Sequence, residues 1–219
     1  MYTYLSSFGS LSYLEVKPAC GVQDLVQRVQ TESVWTIDLA YLFASYGVPA
    51  EYYTISPGVD PSYSDEDFYE ASFVADSKRV TDLFAKAPAR HVHFEKRHLD
   101  LVDIVNRILG GFAAIMLVDS GKLHHKLSQE REYHGHYIVV YGYNPEMNMF
   151  AVIDPARRRG YRAVEAARLE AARLAHGTDE DALFMRVLPV PPEYHVGEAV
   201  KGLHRPGHSP EHHHKCFIS

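Results

Sequence analysis

Apolar residues recur along the chain at spacings that separate helices from strands. Ile37, Ala40, Tyr41 and Ala44 form one stripe at helical spacing within the run that opens Ser33-Val34-Trp35-Thr36-Ile37-Asp38. Ser33 or Thr36 can cap that helix, Asp38 suits the positive end of its dipole, and Gly47 ends it. Trp35 reads as a core anchor near the helix start. Leu101, Ile104, Val105 and Ile108 repeat the helical spacing up to Gly110-Gly111, and Val80, Leu83, Phe84 and Ala87 repeat it around Lys78 to Lys86. Shorter helices are predicted from Val22 to Val29 and from the capping-box-like Ser64-Asp65-Glu66-Asp67 through Phe73. An alanine-rich helix is predicted over Ala163 to Ala175, closed by His176-Gly177. Strands are predicted at Glu51 to Ile55, Val92 to Glu95, Phe112 to Val118, Gly135 to Tyr143, Met149 to Ile153 and Ala182 to Leu188. The unbroken apolar run Phe112 to Val118 belongs in the centre of a sheet. Asn144-Pro145-Glu146-Met147-Asn148 joins two strands into a hairpin, and the polar residues 120–134 read as a loop.

Helices therefore come first, followed by a predominantly antiparallel sheet with inserted helices. That order is α+β, not doubly wound. One domain spans 21–188. Residues 1–20 show no clean period and read as a poorly anchored segment, while the proline-, glycine- and histidine-rich stretch 189–219 reads as a disordered tail. No internal repeat is present.

Composition narrows the possibilities. The 219 residues are 46% hydrophobic and 23% charged, which are globular values. A net charge of −6 argues against nucleic acid as a partner, and no apolar run reaches a membrane span. Two cysteines, Cys20 and Cys216, build no disulfide framework, and the N-terminus is no persuasive signal peptide. The expected location is cytoplasmic.

The hairpin carries the candidate chemistry. His136 begins one strand and Asp154 follows the next. A pairing centred on Pro145 sets the two directly opposite on one face; a one-residue slip sends them to opposite faces. If they meet, Asp154 accepts from one ring nitrogen of His136 and leaves the other as a base. The alternative is a satisfied strand-edge histidine and a turn-forming aspartate before Pro155. His124-His125 and the pair His91 and His93 lack a metal-site spacing. His212-His213-His214 with Cys216 reads as a tail without a functional ligand set.

The runs Ser33-Val34-Trp35-Thr36-Ile37-Asp38-Leu39-Ala40-Tyr41-Leu42, Tyr133-His134-Gly135-His136-Tyr137-Ile138-Val139-Val140-Tyr141-Gly142-Tyr143, Asp154-Pro155-Ala156 and Gly177-Thr178-Asp179-Glu180-Asp181-Ala182-Leu183-Phe184 resemble the guanylyl cyclase domain-containing family, which includes the plant soluble guanylyl cyclase proteins. The resemblance covers about Gly21 to Val187. It implies a fold like that of the papain-like, bacteriocin-processing cysteine peptidases, where a cysteine, a histidine and an Asp or Asn form a triad. His136 and Asp154 match the second and third members. The first belongs in a Trp-Asp-Cys-Gly-Leu-Ala-Cys stretch upstream of Ser33, which this sequence lacks. The nucleophile helix is missing with it, so strands such as Phe112 to Val118 are expected to expose one face unless residues 1–19 cover part of it; the favoured alternative is that the sequence is a truncated or alternatively started product. Cys20 is a weak stand-in nucleophile, lacking the preceding Trp-Asp.

The resemblance also implies conversion of GTP to cyclic GMP, with Mg²⁺ or Mn²⁺ as the expected cofactor of a true cyclase. Asp179-Glu180-Asp181 is the acidic cluster at hand but reads first as a solvated turn, and Arg157-Arg158-Arg159, which can meet phosphates, reads first as an exposed turn. The rival readings are a cysteine-peptidase-like hydrolase and a catalytically dead pseudoenzyme that binds a protein partner.

Overall fold

The computed structural model describes residues 21–59, 73–124, 133–157 and 160–187. The expectations for residues 1–20, Cys20, the helix opening at Ser64, and the tail 189–219 with Cys216 lie outside the described residues. In chain order the elements are α1 (Val22–Val29), α2 (Thr36–Ser45), β1 (Ala50–Thr54), α3 (Phe73–Lys86), β2 (His93–Lys96), α4 (Leu101–Leu109), β3 (Phe112–Asp119), α5 (Ser120–His124), β4 (Gly135–Asn144), β5 (Met149–Ile153), β6 (Tyr161–Glu165), α6 (Ala166–Arg173) and β7 (Ala182–Arg186). A short 3₁₀ turn, Pro88–Arg90, precedes β2.

The strands form one seven-stranded sheet ordered β2-β1-β7-β3-β4-β5-β6. Every neighbouring pair is antiparallel except β1 with β2. The architecture is the expected α+β arrangement, and β3 is the middle strand. Its unbroken apolar sequence has a simple cause, since helices cover both faces of the sheet. Ala114, Met116 and Val118 join Ile138, Val140, Phe150, Val152 and Phe184 in a core shared with Ile104 and Ile108 of α4, Leu123 of α5 and Leu169 of α6. Ala113 and Ile115 join Val139, Leu183 and Met185 in a second core with Ile37, Leu39 and Phe43 of α2 and Val80 and Phe84 of α3. The expectation that Phe112–Val118 exposes one face is therefore corrected: Ala113 through Met116 and Val118 are buried, with helices packed against both faces of the strand.

Three elements depart from the sequence pattern, α3 among them, which starts at Phe73 rather than near Lys78. The alanine-rich helix begins at Ala166, not Ala163, because Tyr161–Glu165 forms the edge strand β6. Val164 points into the core while Tyr161 and Glu165 stay exposed, an alternation too short to stand out beside the alanines. The stretch read as a loop from residue 120 opens with α5. Asp119 caps it by accepting the Lys122 backbone N–H at 3.0 Å. At the start of α2 the cap also differs, because Trp35 takes the N-cap position and its N–H donates to Asp38 Oδ2 at 2.9 Å. Neither Ser33 nor Thr36 is the cap. Trp35 is half-buried against the second core.

The start of β4 is fixed by a ring held between two glycines. Tyr133 is buried, and a Cβ at Gly135 would meet its hydroxyl oxygen at 2.8 Å. A Cβ at Gly177, which has φ +90°, would meet its ring at 2.8 Å. The loop before β7 is thus clamped to the strand that carries His136. Gly177→Ala adds both a backbone penalty and a clash with Tyr133. It is expected to lower unfolding free energy by about 2–4 kcal/mol in urea titration. A loss below about 0.5 kcal/mol, the level of an ordinary surface substitution, would contradict this packing.

Candidate active site

His136 and Asp154 meet. His136 Nε2 lies 2.9 Å from Asp154 Oδ1. Their approach depends on the ladder between β4 and β5. Near the hairpin Tyr143 pairs with Phe150, whereas nearer the site Val140 pairs with Val152 and Val139 with Ile153. One extra residue, Tyr141, is accommodated by a bulge between Val140 and Gly142. Had the hairpin register continued unbroken, Val139 would stand level with Asp154 and His136 would face the other side of the sheet. The bulge restores the parity. The directly opposed pairing centred on Pro145 is corrected by two residues: the ladder brings Ile138 level with Asp154, and His136 is its diagonal neighbour on the same face.

Asp154 is fully buried just beyond β5. Its own turn holds it in place. The Asp154 N–H donates to Gly160 O at 2.8 Å, Arg157 N–H donates to Asp154 O at 3.2 Å, and Ala156 N–H donates to Oδ1 at 3.1 Å. Pro155 between them has no N–H to satisfy. Burial alone would raise the Asp154 pKa, but the hydrogen bond and charge of His136, with the Ala156 N–H, outweigh it and hold the carboxyl below its usual value. Asp154 is therefore an anion at neutral pH. His136 Nε2–H donates to it, which makes Nδ1 the basic nitrogen.

A second histidine completes the corner. His124, at the end of α5, places Nε2 3.2 Å from Asp154 Oδ2, although Oδ2 accepts no well-aligned hydrogen bond. Arg157 Nη2 and Arg162 Nη1 approach His124 Nδ1 at 3.0 and 2.7 Å. Guanidinium groups only donate, so Nδ1 is an acceptor and the His124 proton sits on Nε2. Burial and the positive charge of Arg162 both lower the His124 pKa, keeping it neutral. His124, set aside above for lacking a metal-site spacing, and Arg162 were not legible as site residues because their partners come from α5, the post-β5 turn and β6. The only signals were a His-His pair and a strand-like Tyr-Arg-Ala-Val-Glu.

His124, His136 and Asp154 stand close enough to share a metal ion. The donor set does not suit Mg²⁺ or Mn²⁺, which favour oxygen ligands, because it offers one carboxylate and two imidazoles. Both arginines also lie within 4 Å of Asp154 Oδ2, at 3.9 and 3.6 Å, and His124 Nε2 carries its proton.

Two members of the acidic run depart from its reading as a solvated turn, because the Glu180 and Asp181 side chains are engaged by partners within the protein. Glu180 pairs with His98 Nδ1 at 2.6 Å. Asp181 is buried and accepts the Tyr52 hydroxyl at 2.9 Å. Burial and neighbouring Asp179 push its pKa up to about 7, against opposing hydrogen bonds from Thr36, Thr54 and Tyr52. Cys20, Arg158 and Arg159 lie outside the described residues.

Residues 15–185 match a family model described as guanylylate cyclase. Guanylyl cyclase 1 of Arabidopsis thaliana is 36% identical over 180 residues, covering 77% of this chain and 66% of that protein. The chain thus spans just under two thirds of that relative's length. Among the described residues, no helix is long and apolar enough to cross a membrane.

Asp181 generates a pH prediction. Its folded pKa of about 7 stands above the ordinary 3.8, so its contribution to stability is complete below about pH 4 and is lost as pH rises through about 7. Between about pH 5 and pH 8, the stability difference between wild type and Asp181→Asn should shift against the wild type by on the order of 2–4 kcal/mol in urea unfolding. A difference that stays constant over that range would contradict a neutral buried acid.

Proposed function

The chain belongs to the guanylylate cyclase family, and from that premise we propose that it closes GTP to cyclic GMP by acid–base catalysis at His136 and Asp154. The observation that carries this reading is the hydrogen bond from the His136 imidazole to a carboxylate with no exposed surface. Asp154 fixes the tautomer and stabilises the imidazolium that forms when Nδ1 takes a proton. In the reaction, Nδ1 accepts the proton of the ribose 3′-hydroxyl. The 3′ oxygen bonds to the α-phosphorus, the bond from that phosphorus to the β-phosphate bridging oxygen breaks, and pyrophosphate leaves. Mg²⁺ or Mn²⁺ enters as part of the nucleotide substrate, since the two imidazoles and one carboxylate of this corner do not suit either as a resident ion.

A second reading rests on the same hydrogen bond. A histidine opening one strand and a carboxylate after the next are the last two members of a papain-like triad, which supports a papain-like fold and a cysteine-peptidase-like hydrolase. Its nucleophile would be Cys20 or a residue supplied from elsewhere. With neither chemistry present, the same domain is a binding module for a protein partner.

Purified protein given GTP with Mg²⁺ or Mn²⁺ should form cyclic GMP, and His136→Ala should lower kcat by about 10²–10⁴-fold. Absence of product, or a His136→Ala rate equal to wild type, would reject the cyclase reading. Labelling by a thiol-reactive activity probe that disappears in His136→Ala would favour the hydrolase instead.

A further inference from the structure

The two arginines at this corner are poorly neutralised. Asp154 Oδ1 is occupied by His136 and the Ala156 N–H. Its Oδ2 is 3.9 Å from Arg157 Nε and 3.6 Å from Arg162 Nη1, too long for hydrogen bonds. Both guanidiniums instead approach one lone pair on the neutral ring of His124. With His124 neutral, Arg157, Arg162 and Asp154 sum to one positive charge. The pair is held together at a cost: burial and the nearby charge of Arg157 lower the pKa of Arg162, and Arg168 adds to the same field. A guanidinium presents five donors in a planar fork, and one shared imidazole nitrogen uses little of that capacity. Arg157 remains about half exposed, at 54%, and Arg162 a quarter exposed, at 25%, so solvent reaches both.

We propose that Arg157 and Arg162 form an oxyanion-binding corner beside His136 that takes a phosphoryl group. The nucleotide as the source of that group rests on the cyclase reading above; the preference for an oxyanion does not. Two guanidiniums from different elements, the turn after β5 and strand β6, converge from two directions, which suits the several oxygens of a phosphate. Their position beside the His136–Asp154 bond places bound phosphate next to the basic imidazole. In the cyclase reaction that is where the leaving pyrophosphate carries its developing charge. His124 acts as the placeholder that keeps the two side chains together when no anion is bound.

Isothermal titration of the purified chain with pyrophosphate, without divalent ions, tests the site apart from catalysis. Pyrophosphate should bind, binding should weaken as salt rises, and Arg157→Ala and Arg162→Ala should each weaken it at least tenfold. Arg157 is exposed enough that its replacement leaves the fold intact, which circular dichroism checks. Acetate at equal concentration should give no comparable heat. Pyrophosphate affinity unchanged in both variants, or acetate binding as tightly, would overturn the proposal. Arginine-dependent pyrophosphate binding by a protein that forms no cyclic GMP would support this corner and reject only the cyclase reading. Cyclic GMP formation with the same KM and kcat in both variants would keep the cyclase reading and overturn this corner.

Discussion

A carboxylate with no exposed surface must find its hydrogen-bond and charge partners inside the protein, and the Asp154 side chain finds its nearest donor in His136. Removing an ionised carboxylate from water is costly unless hydrogen bonds and opposite charge replace the lost solvation. Here the replacement comes from the Nε2–H of His136, the Ala156 N–H and the neighbouring arginines. Several features of the chain serve that arrangement. The bulge at Tyr141 sets which way His136 points, Asp154-Pro155-Ala156-Arg157 folds into a turn that supplies its own N–H, and α5 presents His124 against the second oxygen. The resulting geometry gives an oriented imidazole beside two cations.

The sheet separates two kinds of buried acid. On the face covered by α4, α5 and α6, Asp154 is kept ionised by its partners. On the opposite face, beneath the start of α2, Asp181 is neutralised by burial and bonded to Tyr52. Both sit near the same rim of the sheet, since the Leu117 N–H donates to Asp181 O and Leu117 pairs with Tyr137, next to His136. Two buried acids therefore shift in opposite directions: His136 and the Ala156 N–H outweigh burial at Asp154, whereas burial and the like charge of Asp179 raise Asp181. The first arrangement suits proton transfer. The second, with hydroxyl partners, anchors α2 to the sheet.

Much of the fold was legible because long apolar segments carry their period openly. Phe112–Val118 as the central strand and Leu101–Leu109 as a helix follow directly from spacing. The edge strand β6 was not legible, because five residues with a single buried valine resemble the helix that follows. The site was half legible. His136 and Asp154 could be matched through the hairpin, but the register could not be derived, since a bulge leaves no signature in Val139-Val140-Tyr141-Gly142. His124 and Arg162 were invisible for a different reason: they come from separate elements, 38 residues apart in sequence, and only the tertiary fold brings them together at 2.7 Å. The acidic run misled, because Glu180 and Asp181, neighbours in sequence, turn to different partners, His98 and Tyr52.

The central claim is that a buried, ionised Asp154 fixes the His136 proton on Nε2. Long-range ¹H–¹⁵N correlation spectra of imidazole nitrogens read that proton directly. At a pH where the ring is neutral, the account predicts a protonated Nε2 and an unprotonated Nδ1 for His136, with that preference lost in Asp154→Ala. A wild-type His136 with its proton on Nδ1, or a tautomer unchanged when Asp154 is removed, would contradict it.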